Sequence, residues 1–504
     1  MNKIISAIAL TVLLFSGCKT KTEEHLHEHG LEPLAYTLYS DKLEVFVEFK
    51  PLIVGGTTKF AAHFTILGEN FLPLTEGSVT LSLIVGGKGI KQTADTPSVP
   101  GIFPLTLKPI TAGVGKLVFD IKTKNFTDQI IIENVKVYAD EKSALAEQPE
   151  ENGNSDIAYS KEQAWKVAFA NAPVKKQAFS NIIKTSGQIL SAPGDEMIVT
   201  AKASGIVLFK GNKTIIGSTV NAGTPLFTIT GGDLAEGNID ANYKEAKANY
   251  EKAKADYDRA KELVKDKIVS EKDFQDTKLK FDNAQTAFNT IAKNYSANGQ
   301  TVSSAMNGFV KNIFVIEGQF VEAGTPLATI SRNKKLILQA NVSQKYFNNL
   351  SAITSANFSV GIHSDKTTDS EKIYSTQELN GNIISYGKSA TANSPFIPVT
   401  FEIDNTGNLI SGSVAEVYLK SFPIPDAMVI PVSSLIEEQG NFFVYVQTEG
   451  ESFQKREVKL GASDGLNVQV LSGISEGERV VIKGAYQIKL SSASGTLPAH
   501  GHEH

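Results

Sequence analysis

The 504-residue sequence predicts a mainly β, multidomain protein interrupted by one inserted α-helical coiled-coil hairpin. Three observations carry that expectation. Between about Ile239 and Tyr295, aromatic residues recur every seven positions in two polar, proline-free arms. Segments on either side of those arms repeat one another at an offset of about a hundred residues. Elsewhere the chain runs in short Val/Ile/Thr-rich stretches punctuated by its 40 glycines and 18 prolines, the pattern of strands and turns.

Composition narrows the function classes. The chain holds 49 basic against 54 acidic residues, a formal charge of −5, with no basic field for nucleic acid. The first 17 residues read as a targeting segment: Lys3, then an apolar run from Ile4 to Phe15 that is short for a membrane span. Phe15-Ser16-Gly17-Cys18 follows and resembles a bacterial lipobox, which implies cleavage before Cys18 and lipidation of that residue. An ordinary signal peptide followed by an incidental cysteine is the alternative. Because Cys18 is the only cysteine, no intramolecular disulfide can form. Residues 18–33 form a polar tether carrying His25, His27 and His29.

Residues 34–138 contain alternating runs such as LEVFVEF and SVTLSLIVGG, expected to build an N-terminal β-sandwich. Gly86-Gly87 lies between two such runs with no helix pattern after it, so it reads as a hairpin turn rather than a phosphate loop. An acidic stretch with Pro, Gly and Asn marks a linker over 139–160. Residues 161–190 supply first strands that pair back into later domains. The halves of the internal repeat then occupy 191–235 and 299–332. The first holds Ser204-Gly205-Ile206-Val207 and Val220-Asn221-Ala222-Gly223-Thr224-Pro225-Leu226; the second holds Asn307-Gly308-Phe309-Val310 and Val321-Glu322-Ala323-Gly324-Thr325-Pro326-Leu327. These resemble the quasi-symmetric halves of a lipoyl (barrel-sandwich hybrid) domain, here split by the hairpin. No Met-Lys-Met carrier site occurs, and Asp266-Lys267-Ile268 lies in the bend of the rod rather than on a short turn.

The hairpin occupies 236–298. Tyr243, Tyr250 and Tyr257 recur in one arm with Ala246, Ala253 and Ala260 three residues after each, and Phe274, Phe281, Phe288 and Tyr295 recur in the other with Ala284 and Ile291 in the intermediate positions, which is a coiled-coil seam. Each arm would be about 40 Å long at ~1.5 Å rise per residue. Ser270 is placed to cap the return helix, with Asp273 at N3 reaching back. Arg259, Leu263 and Ser270 follow the spacing Arg-x3-Leu-x6-Ser. That spacing resembles the hairpin-tip motif of periplasmic adaptors, the HlyD-like membrane fusion subunits of tripartite efflux pumps. Split lipoyl halves around a hairpin are more specific to that family than the tip motif is. Beyond it, 333–420 reads as a β-barrel and 421–490 as a membrane-proximal β domain, ending in the His-bearing tail 491–504.

The resemblance covers roughly residues 160–490 and implies partners: an inner-membrane transporter of the resistance-nodulation-division (RND) type, a TolC-type outer-membrane channel engaged by Arg259, Leu263 and Ser270, a self-assembled ring (a hexamer in the family), and the membrane through lipid at Cys18. No nucleic-acid partner, resident cofactor or catalytic constellation is read from the sequence, and no enzymatic activity is expected.

Six of eight histidines lie in the tails: His25, His27, His29, His500, His502 and His504. Imidazoles with neighbouring glutamates suit weakly bound divalent Zn, Co, Ni, Cd or Cu, and the same residues read equally as a solvated polar tail. His63 and His363 stand alone in sequence and read as structural or surface residues. Methionine capture of Cu(I), used by copper–silver adaptors, is in doubt with only Met1, Met197, Met306 and Met428 present. The extra N-terminal domain and His-rich ends look more like adaptors of cobalt–zinc–cadmium exporters. Rival readings are a multidrug adaptor, an adaptor for an ABC or type I exporter, and a lipoyl-type carrier subunit of an enzyme complex.

Overall fold

A computed structural model of the chain describes residues 31–148, 156–211, 214–232, 238–293, 295–296, 299–361, 372–388 and 395–493. Cys18, the tail histidines His25, His27, His29, His500, His502 and His504, and His363 lie outside the described residues. No helix among the described residues is long and apolar enough to cross a membrane. The fold is mainly β with an inserted helical hairpin, as the periodicity predicts.

The chain divides into two units. One contains residues up to Pro173 together with Ser433–Glu457 and the segment from Glu478 onward. Its N-terminal part is a β-sandwich. The first sheet runs Leu34–Tyr39, Leu43–Phe49, Thr58–Ile66, with Leu72–Pro73 and Ile102–Leu107 both on the last of these. The second runs Leu52–Ile53, Thr127–Tyr138, Gly113–Lys122, Ser78–Val85, Lys88–Ala94. Gly86 and Gly87, at φ of 55° and 77°, make the two-residue turn that pairs Val85 with Lys88. Two successive positive φ values are what a type I′ hairpin turn demands.

Strand Leu43–Phe49 is buried on both faces. Leu43, Val45, Val47 and Phe49 enter the sandwich core with Phe64, Phe103 and Phe119. Glu44 and Phe46 point the other way and are also buried, against a second layer of the same unit. That layer pairs Ala170–Pro173 with Arg479–Lys483, and Val446 and Gln447 with Val480 and Arg479, over a core of Tyr159, Phe169, Tyr445, Phe453, Val481 and Ile488. The packing is close: a Cβ on Gly450 would come within 2.0 Å of the Phe46 ring, and one on Gly101 within 2.3 Å of Trp165. Segment 139–160, expected as a linker, contains helix Glu141–Ala146 with an Asp140 capping box and strand Ile157–Ala158, which pairs with Phe453 and Ser452. The domain ends in helix Ala485–Ala493, which the sequence reading did not anticipate.

The other unit spans Val174–Val432 and Val458–Gly477. A seven-strand sheet, ordered 373–375, 355–360, 414–431, 176–191, 335–343, 396–404, 382–386, wraps one core drawn from Ile183, Leu338, Phe358, Phe401 and Val417. Tyr386 Oη donates to the Ile353 carbonyl at 3.1 Å, linking the last strand to the start of the sheet.

The lipoyl-like domain shows why the repeat exists. Thr219–Val220 of the first half pairs with Gly308–Ile313 of the second, and Phe320–Val321 of the second pairs with Gly205–Phe209 of the first. The exchange is symmetric to the level of single bonds: Gly217 N–H donates to Val310 O and Gly318 N–H to Val207 O, both at 2.8 Å. Gly205 and Gly308 are equivalent, since a Cβ would lie 2.5 Å from Thr230 O at one and 2.3 Å from Ser331 O at the other. No residue larger than glycine fits beside that backbone.

Candidate functional site: the hairpin and its tip

Two helices, Ile239–Lys265 and Glu271–Ala292, form the rod. Asn238 caps the first, accepting from the N–H groups of Asp240 and Ala241. The heptad aromatics meet as a continuous ladder. Tyr243 stacks on Tyr295 at 4.0 Å between centroids and reaches Phe288 at 5.7 Å. Tyr250 lies 5.2 Å from Phe288 and 5.9 Å from Phe281, and Tyr257 lies 5.0 Å from Phe281 and 5.8 Å from Phe274. Each inner ring therefore holds two across the seam. Few residues are buried in the rod, only Ile239 and Ala260 in the first helix, so the ladder supplies most of its cohesion. At the base, Tyr295 Oη donates to Asp240 Oδ1 at 2.6 Å, closing the two arms together. Its phenol is pushed up to about 12, first by burial and then by that bond.

The tip is a tight turn. Lys267 N–H donates to Val264 O at 3.1 Å and Ile268 N–H to Leu263 O at 3.0 Å, the two bonds of a Schellman motif. Lys267 occupies the left-handed position at φ 57°, where glycine is usual. Ser270 Oγ then accepts from Asp273 N–H at 3.2 Å and starts the return helix. The predicted capping box is altered: the Asp273 carboxylate accepts from the Ser270 hydroxyl at 2.6 Å rather than from the cap backbone. Arg259 and Ser270 are exposed, and Leu263 is half-buried beside Val264, which takes the heptad position after Tyr257. Ile268 is 68% exposed at the bend. The structure thus collects Leu263 and Ser270 around one turn, with Arg259 one helical turn below Leu263.

A second cluster escaped the sequence reading. His63, alone in its stretch of sequence, lies with its Nε2 2.9 Å from Glu162 Oε1, and the ligand-type atoms of His63, Glu162 and Glu451 all fall within 4.8 Å of one another. The hydrogen bond from His63 holds the Glu162 carboxyl down at about 2, whereas burial pushes that of Glu451 up. Beside it, Lys161 Nζ pairs with Glu44 Oε1 at 2.6 Å, both side chains almost fully buried. Tyr39 Oη donates to the same Glu44 oxygen at 2.8 Å. Residues ninety-nine and more positions apart leave no local pattern.

The fold thus combines split lipoyl-like halves flanking a two-helix rod with a curled β-sheet and a C-terminal β domain. Family comparison agrees at both ends of that architecture. A model described as the CzcB-like α-helical hairpin domain matches residues 238–297, and one described as the CzcB C-terminal circularly permuted SH3-like domain matches residues 428–489. The chain carries CzcB-like membrane fusion protein domains. It is 29% identical over 189 residues to the macrolide export protein MacA of Yersinia pestis, covering 36% of this chain and 48% of that one. It is 23% identical over 329 residues to the nickel-cobalt-cadmium resistance protein NccB of Alcaligenes xylosoxydans xylosoxydans, covering 64% and 79%. The match thus spans about half the length of the first of these relatives. Among solved structures, ZneB from Cupriavidus metallidurans aligns over 66% of this chain and 97% of its own at 23% identity, with a TM-score of 0.32.

Proposed function

We propose that this chain is the lipid-anchored periplasmic adaptor of an RND-type efflux pump that exports divalent heavy-metal cations. One observation carries the reading: a CzcB-like hairpin and a CzcB-like C-terminal domain stand in the same chain, separated by the second lipoyl-like half and most of the barrel strands. The match to NccB, whose name specifies nickel, cobalt and cadmium, supports the cargo. On this reading Cys18 carries the lipid, copies of the chain form a ring, and the rod reaches a TolC-type channel through Arg259, Leu263 and Ser270. The adaptor joins and seals a conduit and performs no reaction of its own.

The MacA match favours a second reading, an adaptor for macrolide-like compounds. A deletion strain grown against Zn²⁺, Co²⁺, Cd²⁺ and Ni²⁺ beside a macrolide panel separates the two. Sensitivity to the cations supports the first reading; sensitivity to macrolides alone replaces it with the second. Complementation by Leu263→Asp tests the tip. An aspartate there leaves the aromatic ladder intact and should abolish resistance, and full resistance in that strain would sink the tip assignment.

A further inference from the structure

We propose that His63, Glu162 and Glu451 form a binding site for one divalent cation of the zinc class, which ties the N-terminal sandwich to the C-terminal layer of the same unit. The proposal goes beyond the export reading, because the ion is held by the chain rather than passed along. One imidazole and two carboxylates are a ligand set that zinc accepts, with a fourth position left for water. Tetrahedral ligands about 2.0–2.1 Å from zinc lie roughly 3.3 Å apart. Here His63 Nε2 and Glu162 Oε1 are 2.9 Å apart and all three ligand-type atoms lie within 4.8 Å of one another, so small side-chain rotations suffice.

Each ligand is positioned by a different element. His63 sits on strand Thr58–Ile66, 2% exposed, with its ring stacked on Phe46 at 5.6 Å and tilted against Trp165 at 6.0 Å. Glu162 stands in the first turn of helix Lys161–Ala164, which is fixed by the Ser160–Gln163 capping box. Glu451 lies between strands Asn441–Glu449 and Ser452–Ser463, and its Oε1 accepts from the Lys161 backbone N–H at 2.6 Å. That bond from outside the cluster orients a ligand in the way outer-shell partners of metal sites do. The adjacent Lys161 ammonium has its ion-pair partner in Glu44 Oε1, 2.6 Å away. Two carboxylates around one imidazole therefore favour a cation. Glu162, one-third exposed, leaves a route from solvent.

The test uses the full mature chain with the six tail histidines changed to asparagine, so that the tails do not compete. Zinc chloride is titrated against a chromophoric chelator, and the thermal midpoint is followed with free zinc. The expected result is one zinc per chain, a midpoint that climbs with zinc concentration, and an absorption-edge spectrum with one imidazole and oxygen ligands. His63→Gln, Glu162→Gln and Glu451→Gln should each weaken binding more than about 100-fold, beyond the 10–100-fold typical of outer-shell changes. Glu162→Gln, at the rim, keeps the test decisive where His63→Gln unfolds the chain. No stoichiometric zinc in the parent, or folded Glu162→Gln and Glu451→Gln variants that retain its affinity, would overturn the site. Because binding is read on the purified chain, that failure is separate from failure of the export reading, which the deletion strain decides.

Discussion

Replacing Tyr250 by alanine should open the rod while leaving both β units folded. Tyr250 holds Phe288 at 5.2 Å and Phe281 at 5.9 Å, so the change removes two ring pairs. Aromatic pairs contribute about 0.5–1.5 kcal/mol each beyond buried area. Truncating a fully buried aromatic costs about 3–5 kcal/mol, and a half-buried one about half of that. Alanine returns about 0.5 kcal/mol through its helix propensity. The net loss is about 3 kcal/mol, or roughly 100-fold in the opening equilibrium at 1.4 kcal/mol per tenfold. A global melting point is the wrong measurement in a multidomain chain. Amide hydrogen exchange resolved to residues 239–292 reads the opening directly. Exchange there should accelerate roughly 100-fold in the alanine variant and hardly at all in Tyr250→Phe, which keeps the ring. Acceleration below about tenfold in the alanine variant would refute the claim that the ladder holds the rod.

Three further outcomes follow from other contacts. Lys161→Met leaves the buried Glu44 carboxylate without its ammonium, and Glu44 Oε2 already has no hydrogen-bond partner; loss of about 3–5 kcal/mol is expected, read by denaturant unfolding through the fluorescence of Trp165, the chain's single tryptophan. Lys267→Gly relieves a left-handed backbone and should slow exchange at the bend by an amount worth about 1 kcal/mol, with no change at the base. The Tyr295 phenol keeps its proton up to about pH 12 in the folded hairpin, against a reference value of 10.0. Its contribution is therefore complete below pH 10 and lost as pH rises through about 12. Helical circular dichroism should show that alkaline loss in the parent, and Tyr295→Phe should flatten it.

What the sequence made legible was whatever repeats. The aromatics at intervals of seven announced the rod and its ladder, and the twin Ala-Gly-Thr-Pro-Leu segments announced two halves of one domain. Gly86-Gly87 announced its own turn, because only successive positive φ values fit there. Single long-range meetings stayed hidden. His63 finds Glu162 and Glu451 only after a sandwich strand has packed on a layer assembled from the far end of the chain. Helix Ala485–Ala493 follows a glycine and carries weak apolar periodicity, so it gave no signal of its own; Ala485 and Ile488 become core only by packing on Tyr445 and Phe453. Within the acidic stretch after Tyr138, Asp140 caps the short helix Glu141–Ala146, which composition alone did not announce.

The exchange of strands between the two lipoyl halves also sets an order of events during folding. Strand Pro225–Thr230 must pair with Gly299–Ser303, and Thr219–Val220 with Gly308–Ile313, across the whole inserted segment. Closing so long a loop in a disordered chain is slow, because the entropy is spent before any pairing rewards it. The rod, in contrast, has only near-neighbour contacts across one bend, and helices of this kind form in about a microsecond. Once zipped, it brings the chain ends that lead to Thr230 and Gly299 together. Shortening the effective loop by two to three doublings saves about 1.5 kcal/mol at ~0.6 kcal/mol per doubling. The helical rod thus doubles as the jig on which the lipoyl-like domain is assembled, and a variant that cannot zip should refold that domain late.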